Sequence, residues 1–487
     1  MDFFSLEFFA FSLAVLVLFY LTPARFRWFI LLAASYFFYA TFKASYLALI
    51  IFSTLTAYLA ALGMNRWNTP SAKKLLLILG LLCNIGMLFI FKYFDFLDTS
   101  IQQLLGLANV TYTSHALKLL VPVGISFYVF QVVGYLIDVY RNDAPAEKHP
   151  GIFALYVAFF PKLLSGPIER VNNFLPQLRD NSRFDMERFT NGLKLICWGL
   201  FKKMVIADRL AAFVNVVYAD PQAHSGVSLA IAIIFYSFQL YCDFSGYTDI
   251  AIGLAQMFGL KLMDNFNRPW SATSVKDWWK RWHISMSSWF RDYLYFPLGG
   301  SRVGVSRHYL NLLVVFVVCG LWHGANWTYV VWGFVQAVYL IFGNVSANLR
   351  AKWTAAAGLN KNPFLHRRLQ IWTTFTILSL SIVFFRAETL SDAFYILSHL
   401  HVGWENIWNT EALYRMIFLT GSVKDLVIAL AALFFMGMVH KLEDHATMRH
   451  MLADKPIWLR FGIYYIIIAG ILLLSLPDAK NFIYFQF

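Results

Sequence analysis

Charged side chains are scarce in this chain. Only 14% of its 487 residues are Asp, Glu, Lys or Arg, whereas 59% are hydrophobic and 18% are aromatic. A soluble chain is about 25% charged and about 45–50% apolar, so this composition excludes a string of ordinary soluble domains. The scarcity of charge and the long apolar runs indicate one large protein that crosses a membrane many times.

Cysteine is scarcer still. The chain has four cysteines, none forms a C-x-x-C pair, and all lie in or beside apolar runs: Cys83, Cys197, Cys242 and Cys319. This usage argues against a disulfide framework and against a zinc site. We predict that the cysteines are small packing residues and that the protein binds no metal.

The first residues lack the basic start of a cleavable secretory signal. Asp2 and Glu7 precede the apolar run at 8–21, and Arg25 and Arg27 follow it. This order is typical of a retained signal-anchor. Because basic residues favour the cytoplasmic side, we predict that the N-terminus lies outside the cytoplasm.

The positive charge of the chain is concentrated in loops. Forty Lys and Arg residues against 27 Asp and Glu residues give a net charge of +13, and many of the basic residues fall in the 350–368 linker and after the first and third apolar runs. Such an excess marks cytoplasmic loops. No basic stretch is interleaved with polar, exposed sequence, so we predict membrane lipids and no nucleic acid as partners.

Apolar runs that could cross a membrane recur along the whole chain. They lie at about 6–22, 28–42, 45–63, 75–92, 119–140, 190–219, 226–241, 308–320, 327–345, 371–385, 424–440 and 457–476. A span needs roughly 17–25 residues, so the shorter runs are expected to be tilted, partial or buried in protein. The sequence therefore predicts an all-α polytopic membrane protein with about 11–12 membrane segments.

Two stretches predict helices that do not span. Residues 151–178 contain three prolines and the charges Lys162, Glu169 and Arg170. A broken backbone at membrane depth survives only inside protein or along a watery cavity, which predicts a re-entrant or cavity-lining segment. Residues 274–296 mix tryptophans with cations, a pattern typical of an amphipathic helix at the membrane interface.

His323 follows the apolar run at 308–320 and precedes another. Gly320 and Gly324 flank it and allow close backbone approach, and Trp322 and Trp327 can wall a narrow slot around it. Two interpretations stay open. The imidazole either ties two helices together by hydrogen bonds, or it is a functional group held inside the membrane. Burial keeps an imidazole neutral, and a neutral imidazole can take the proton of a hydroxyl that attacks an activated acyl group.

A second polar cluster, YCDFSGYTD at 241–249, follows an apolar span. It contains Asp243, Ser245 and Asp249. Asp and Ser commonly cap helix N-termini, so a cap is one interpretation of the cluster. The other is a polar wall that orients a base or a substrate.

The third cluster, at 264–302, places His283 forty residues before His323. A lone interfacial histidine is commonly structural. Three cations of this stretch, Lys280, Arg281 and Arg302, could meet a phosphate-bearing donor, although basic residues beside a membrane also meet lipid headgroups.

Eight blocks of sequence, in this order, resemble the membrane-bound O-acyltransferase (MBOAT) family, and in particular its bacterial alginate O-acetylation branch. They are PVGISFYVFQ (122–131), FFPKLLSGPIER (159–170), YCDFSGYTDIAIG (241–253), NFNRPW (265–270), WWKRWHISMSSWFRDYLYFPLGG (278–300), GLWHGANWTYVVWG (320–333), FFRAE (384–388) and FIYFQF (482–487). A single W-H-G is weak evidence, whereas the joint order of these blocks, nearly from end to end, is highly specific.

The resemblance implies a helical MBOAT core with a funnel open to the outside and a passage towards the cytosol. It implies that His323 is the catalytic histidine and His283 the second signature histidine. Asp243, Ser245, Asp249, Asn326 and Trp322 are the residues we expect to support them. The implied donor is acetyl-CoA or another acyl thioester, with no bound cofactor, and the implied partners are a periplasmic acetyltransferase or polysaccharide-modification proteins.

Two positions depart from the family pattern. Many relatives carry a further histidine shortly after Trp332-Gly333, where this chain has Phe334, Val335 and Gln336. Trp270 stands where relatives often have Tyr, which removes a hydroxyl. A proton-relay role for that extra histidine therefore does not carry over to this chain.

We expect a single inner-membrane MBOAT domain over 1–487, with N-terminal helices at 1–118, a signature core at 119–345 and C-terminal helices at 346–487. The expected function is acyl transfer, chiefly of acetyl groups, to an exported polysaccharide such as alginate. D-alanyl transfer and peptidoglycan O-acylation use the same chemistry and stay open. A transporter or scramblase for a lipid-linked glycan and a non-catalytic export scaffold are the rivals from other classes.

Overall fold

The computed structural model describes residues 1–67, 69–180, 183–419, 422–443 and 455–475. Helices dominate this part of the chain, and none of its residues lies in a β-strand. The all-α prediction is thereby confirmed. The FIYFQF block at 482–487 lies outside the described residues.

The first of two compact units comprises residues 1–196 and 248–264. Its helices are α1 (Leu6–Leu21), α2 (Arg27–Ala40), α3 (Tyr46–Arg66), α4 (Pro70–Leu88), α5 (Phe94–Leu107), α6 (Ile125–Arg141), α7 (Pro150–Ala158), α8 (Phe160–Leu163), α9 (Val171–Phe174) and most of α10 (Met186–Leu200).

The second unit comprises residues 197–247 and 265–487. Its helices are α11 (Asp208–Ala219), the first part of α12 (Gly226–Met257), α13 (Val275–Trp279), α14 (Ile284–Phe290), α15 (Val305–His323), α16 (Trp327–Val345), α17 (Ala347–Ala356), α18 (Pro363–Arg386), α19 (Leu390–Ser398), α20 (Thr410–Ile417), α21 (Val423–Leu442) and α22 (Ile457–Leu474). The prediction of one domain with divisions after 118 and 345 stays a prediction.

Eight helical segments in the described residues are long and apolar enough to cross a membrane. They are α3, α4 continued into α5, α12, α15, α16, α18, α21 and α22. The other four predicted runs are helical as well, but they are shorter or interrupted: α1, α2, α6 and the stretch from α10 to α11. The chain is thus a multi-pass membrane protein, as its composition predicts.

Local sequence signals set where several of these helices begin. The Thr69 hydroxyl accepts a hydrogen bond from the Ala72 N–H, and Pro70 occupies the first turn of α4. Asn362 and Pro363 start α18 in the same way. A capping side chain satisfies an orphan N–H, while a proline at the first helical position loses no hydrogen bond.

The predicted re-entrant segment at 151–178 is broken and buried within the first unit. The short helices α7, α8 and α9 are separated by irregular backbone. Lys162 is 3% exposed, and its ammonium donates to Gln131 Oε1 at 2.5 Å and to the Tyr156 carbonyl at 2.8 Å. Glu169 is 1% exposed and accepts from Asn173 Nδ2 at 2.7 Å. Lys162 and Glu169 therefore form hydrogen bonds with polar groups inside the protein.

The predicted interfacial helix at 274–296 is instead divided into two short helices. α13 ends at Trp279 and α14 begins at Ile284, and His283 between them has the left-handed φ of 43°. Trp278, Trp282 and His283 are all buried. A continuous amphipathic helix would leave these rings in the interface. Their burial explains the break, because the chain turns to direct the rings into the protein.

Candidate active site

His323 is the last residue of α15, and two glycines fix its position. A Cβ at Gly320 would lie 2.2 Å from the Tyr329 carbonyl oxygen on α16, and a Cβ at Gly333 would lie 2.2 Å from the Phe316 carbonyl oxygen on α15. Only glycine permits so close a crossing. The two helices therefore pack backbone to backbone just below His323, which is 3% exposed.

Among the described residues, the aromatic rings around the His323 imidazole include those of Trp322, Trp332 and Phe385. The centroid distances are 5.0 Å to Trp322, 5.2 Å to Trp332 and 5.1 Å to Phe385. The sequence identified Trp322 but missed Trp332 and Phe385. It proposed Trp327 instead, which is 47% exposed. The sequence signal that could have identified these two rings is the pair Gly320 and Gly333. Small residues on successive helices allow α15 and α16 to cross closely, which brings Trp332 next to His323.

His283 is completely buried, and its hydrogen bonds define which ring nitrogen carries the proton. Its Nδ1 lies 3.1 Å from Asn265 Oδ1. That oxygen also accepts from the Ser285 backbone N–H at 3.2 Å and from the Ser285 hydroxyl at 2.9 Å. A backbone N–H can only donate, so the amide oxygen must face it. Nδ1 of His283 is therefore the protonated nitrogen, and Nε2 carries the lone pair.

Burial and backbone strain both mark His283. Burial lowers the pKa of His283 to about 3, because the charged ring would lose its hydration. Its φ of 43° is uncommon for a residue other than glycine. Strained backbone persists only where its surroundings over-determine it, and such positions cluster at functional sites.

Trp322 lies between the two histidines of the signature. Its ring centroid is 5.8 Å from that of His283 and 5.0 Å from that of His323. His283 also contacts Phe244 of α12, with 4.8 Å between the ring centroids. The structure therefore brings His283, Trp322 and His323 into one aromatic-lined cluster in the second unit.

Asp243 belongs to a buried ionic network. The Lys203 ammonium lies 2.7 Å from Asp243 Oδ1 and 2.9 Å from Asp208 Oδ1, and all three side chains are at most 5% exposed. One lysine thus bridges two carboxylates from α12 and α11. Buried charges need such pairing, because an isolated one loses its hydration without compensation.

Ser245 has a lysine partner as well. The Lys202 ammonium donates to Ser245 Oγ at 2.8 Å. The sequence predicted a polar wall from Asp243 and Ser245 but missed both lysines, because they interrupt an otherwise apolar run at 201–207. Asp249 lies six residues beyond Asp243 on α12, about 240° further around the helix axis, so the two aspartates do not share a helix face.

Asn326 has a structural role at the start of α16. It caps α16, accepting from the Thr328 N–H at 3.0 Å, and it donates to the Glu388 carbonyl at 3.1 Å. Among the predicted donor contacts, Lys280 and Arg302 are exposed. Arg281 is half-buried and pairs with Asp277 at 2.9 Å.

Gln336 occupies the α16 position one turn beyond Trp332. It is 1% exposed, and its Nε2 donates to Ser381 Oγ of α18 at 2.8 Å. A glutamine cannot exchange protons as a histidine does. The Gln336 side chain therefore links α16 to α18. It lies in the stretch after Trp332-Gly333 where many relatives are expected to carry a further histidine.

The model of the membrane-bound O-acyltransferase (MBOAT) family matches residues 147–385. This range includes both histidines, Asn265 and the ionic network. It ends at Phe385, whose ring contacts His323.

Similar proteins extend the match over nearly the whole chain. The "Probable alginate O-acetylase AlgI" of Pseudomonas putida is 36% identical over 96% of this chain and 96% of its own length. The peptidoglycan O-acetyltransferase of Helicobacter pylori is 36% identical over 75% of this chain and 73% of its own. The teichoic acid D-alanyltransferase of Streptococcus thermophilus is 29% identical over 54% and 67%, respectively.

Proposed function

Because the chain belongs to the membrane-bound O-acyltransferase family, we propose that it moves an acyl group, chiefly acetyl, from a cytosolic thioester donor towards hydroxyls of an exported polysaccharide such as alginate, by way of a periplasmic partner. The observation that carries this proposal is His323, a buried imidazole in an aromatic enclosure at a glycine-tight helix crossing. Such an enclosure excludes water, which would otherwise hydrolyse an activated acyl donor.

The chemistry needs one base and one activated donor. His323 takes the proton of the acceptor hydroxyl while its oxygen attacks the thioester carbonyl. The tetrahedral intermediate then collapses, the C–S bond breaks, and the leaving thiolate takes the proton from the imidazolium. The new ester and a free thiol are the products. His283 stays neutral and helps to position Trp322 and His323. The ion pairs of Lys203 with Asp208 and Asp243 fix α12, which contacts His283 through Phe244.

The donor and the location follow from the same chemistry. A thioester such as acetyl-CoA is made in the cytosol, whereas the polysaccharide is exported. A base reached from both sides lets the small acyl group cross while the bulky donor stays inside. This proposal places the chain in the inner membrane with a periplasmic N-terminus, and it names a periplasmic acetyltransferase or polysaccharide-modification protein as the partner that receives the group.

Other acyl groups and acceptors are compatible with the same site. The relatives named above include a peptidoglycan O-acetyltransferase and a teichoic acid D-alanyltransferase. A parallel assay with D-alanyl and acetyl donors separates these possibilities. A transporter or scramblase would move a lipid-linked glycan without a base, so its flux would survive His323→Gln.

The decisive experiment uses the purified full chain in nanodiscs with labelled acetyl-CoA, an alginate oligomer and the candidate partner. His323→Ala should abolish label transfer. His401→Ala, which changes an exposed histidine of the same unit, is the matched control and should transfer normally. Undiminished transfer by a folded His323→Ala variant refutes the assignment of the base.

A further inference from the structure

A groove of about 720 Å³ lies along α3 and α4 in the first unit. The buried Ala60 and Gly80 form its floor, and the exposed side chains of Leu59 and Leu79 form its walls. A Cβ on Gly80 would lie 3.2 Å from Ala60 Cβ, so the two helices touch beneath the groove. Ligand pockets in proteins have volumes of about 300–1,000 Å³, and this groove is therefore large enough to hold a ligand.

The length of the groove corresponds to one leaflet of a membrane. Thr56 and Arg66 of α3 both line it, and they are separated by about 15 Å along the helix at about 1.5 Å per residue. Both α3 and α4 are long and apolar enough to span. The hydrocarbon core of a bilayer is about 30 Å thick, so the groove follows α3 through about half of it.

The Thr56 end of the groove is apolar in character. The Thr56 hydroxyl donates to the Phe52 carbonyl at 2.9 Å and accepts from Asn84 Nδ2 at 3.2 Å. Asn84 itself is completely buried, and its neighbour Cys83 lines the groove. Because the hydroxyl is already hydrogen-bonded within the protein, this end suits the tail of a lipid and not a polar group.

The other end of the groove carries positive charge. α3 ends at Arg66, and the 57% exposed Trp67 follows it. Lys148 contributes a second exposed cation to the lining, whereas none of the described lining residues is Asp or Glu. Glu147, next to Lys148, is buried and forms an ion pair with Arg179. Tryptophan is typical of the membrane–water interface, so these cations lie where lipid phosphates are found.

We propose that this groove binds one anionic phospholipid, with an acyl chain between Leu59 and Leu79 and the phosphate at Arg66. The planar guanidinium fork matches two oxygens of a phosphodiester. Basic pockets between membrane helices on the cytoplasmic side bind anionic headgroups, and Arg66 faces that side in the orientation proposed above. The ammonium of a zwitterionic lipid would meet like charge at this end. The site goes beyond acyl transfer and does not depend on it.

The test measures lipid binding without turnover. Native mass spectrometry of the full chain in detergent counts the lipids retained as dioleoyl phosphatidylglycerol or dioleoyl phosphatidylcholine is added. One phosphatidylglycerol should bind more tightly than phosphatidylcholine. Arg66→Gln should weaken it about tenfold, the usual effect of losing a charge-assisted hydrogen bond, and leave phosphatidylcholine unaffected. Equal affinity of the wild type for both lipids, or of wild type and Arg66→Gln for phosphatidylglycerol, overturns the site.

Two controls separate this site from a generally basic surface and from a site for small anions. Lys74 is an exposed cation of α4 that does not line the groove, so Lys74→Gln should change the affinity less than Arg66→Gln does. An equal loss in the two variants overturns the site. Glycerol 3-phosphate supplies the anion without the acyl chains and should not displace the lipid. Displacement by it would show that the groove does not hold the chain.

A change at the apolar end tests where the acyl chain lies. Cys83→Phe adds a ring at this end of the groove and should weaken phosphatidylglycerol binding, whereas Cys83→Ser keeps the size of the side chain and should bind as the wild type does. Equal Tm values of both variants and the wild type in lipid-free detergent establish that the fold is intact. Unchanged affinity of folded Cys83→Phe overturns the placement of the chain.

Discussion

His283 Nδ1 lies 3.1 Å from Asn265 Oδ1, an oxygen that Ser285 holds in place with two further hydrogen bonds. This relationship makes Asn265 a positioning residue. It fixes the tautomer of a buried imidazole and thereby directs the lone pair of Nε2 away from NFNRPW. Asn265, the first residue of that block, therefore acts on the site by orienting His283.

Two replacements of Asn265 should distinguish its role as a hydrogen-bond acceptor from its role in packing. Asn265→Leu removes the acceptor, so His283 can adopt either tautomer, and we expect kcat to fall roughly 100-fold, within the range of acid–base contributions. Asn265→Asp keeps an acceptor and adds a negative charge that raises the pKa of His283. It should retain more activity with an altered pH–rate profile. Equal loss in both variants would indicate a packing role only.

The low pKa of His283 predicts a pH-dependent stability. The folded pKa is about 3 and the ordinary value 6.5, so the unfolded chain binds the proton more readily between these values. The free energy of unfolding should therefore fall as the pH drops below 6.5, by about 2 kcal/mol at pH 5 from this residue. The measurement compares denaturation of wild type and His283→Gln at pH 7.5 and pH 5. The wild type should lose more stability on acidification; a parallel decline would contradict the assignment.

The glycine crossing predicts a position-specific effect on α15 and α16. Gly320→Ala places a methyl group 2.2 Å from a backbone carbonyl, whereas Gly343→Ala on α16 meets nothing within 4 Å. Overpacking costs about 1–3 kcal/mol. We expect Gly320→Ala to lower Tm and activity together, because His323 is displaced with the helix. Gly343→Ala should leave both unchanged, and a tolerant Gly320→Ala would refute the tight crossing.

The ionic network predicts a large stability loss from a small change. Asp243→Asn leaves Lys203 buried with one carboxylate instead of two. Breaking a buried pair costs about 3–5 kcal/mol. We expect a marked fall in Tm. The control is Glu411→Gln, which breaks an exposed ion pair and should change Tm little. The double variant Asp243→Asn/Lys203→Met should recover part of the loss, and no recovery would argue against the pairing.

The helices of this chain could be predicted because apolar periodicity and length determine them locally. All twelve apolar runs fold as helices within the described residues. The prediction of one interfacial helix at 274–296 was wrong, because tryptophans mixed with cations indicate an interface by composition alone. Their burial depends on contacts with residues far away in the sequence, such as that of Trp282 with Tyr241 and that of Trp279 with Phe316.

The candidate site was predictable only in part for the same reason. His323 and His283 stand out as ionisable groups in apolar or aromatic surroundings. Trp332 and Phe385 look like ordinary helix residues until α15, α16 and α18 are packed together. Lys202 and Lys203 were missed because their carboxylate and hydroxyl partners come from other helices, and a sequence pattern does not show such pairing.

The glycine contact between α15 and α16 joins them into one mechanical element. Membranes change thickness with lipid composition, and a helix adapts by tilting. When two helices touch through their backbones, they must tilt together. The spacing between His323 and Trp332 is then set by peptide atoms and is insulated from the surrounding lipid. We expect the enzyme to keep its reactive geometry when the cell remodels its membrane lipids.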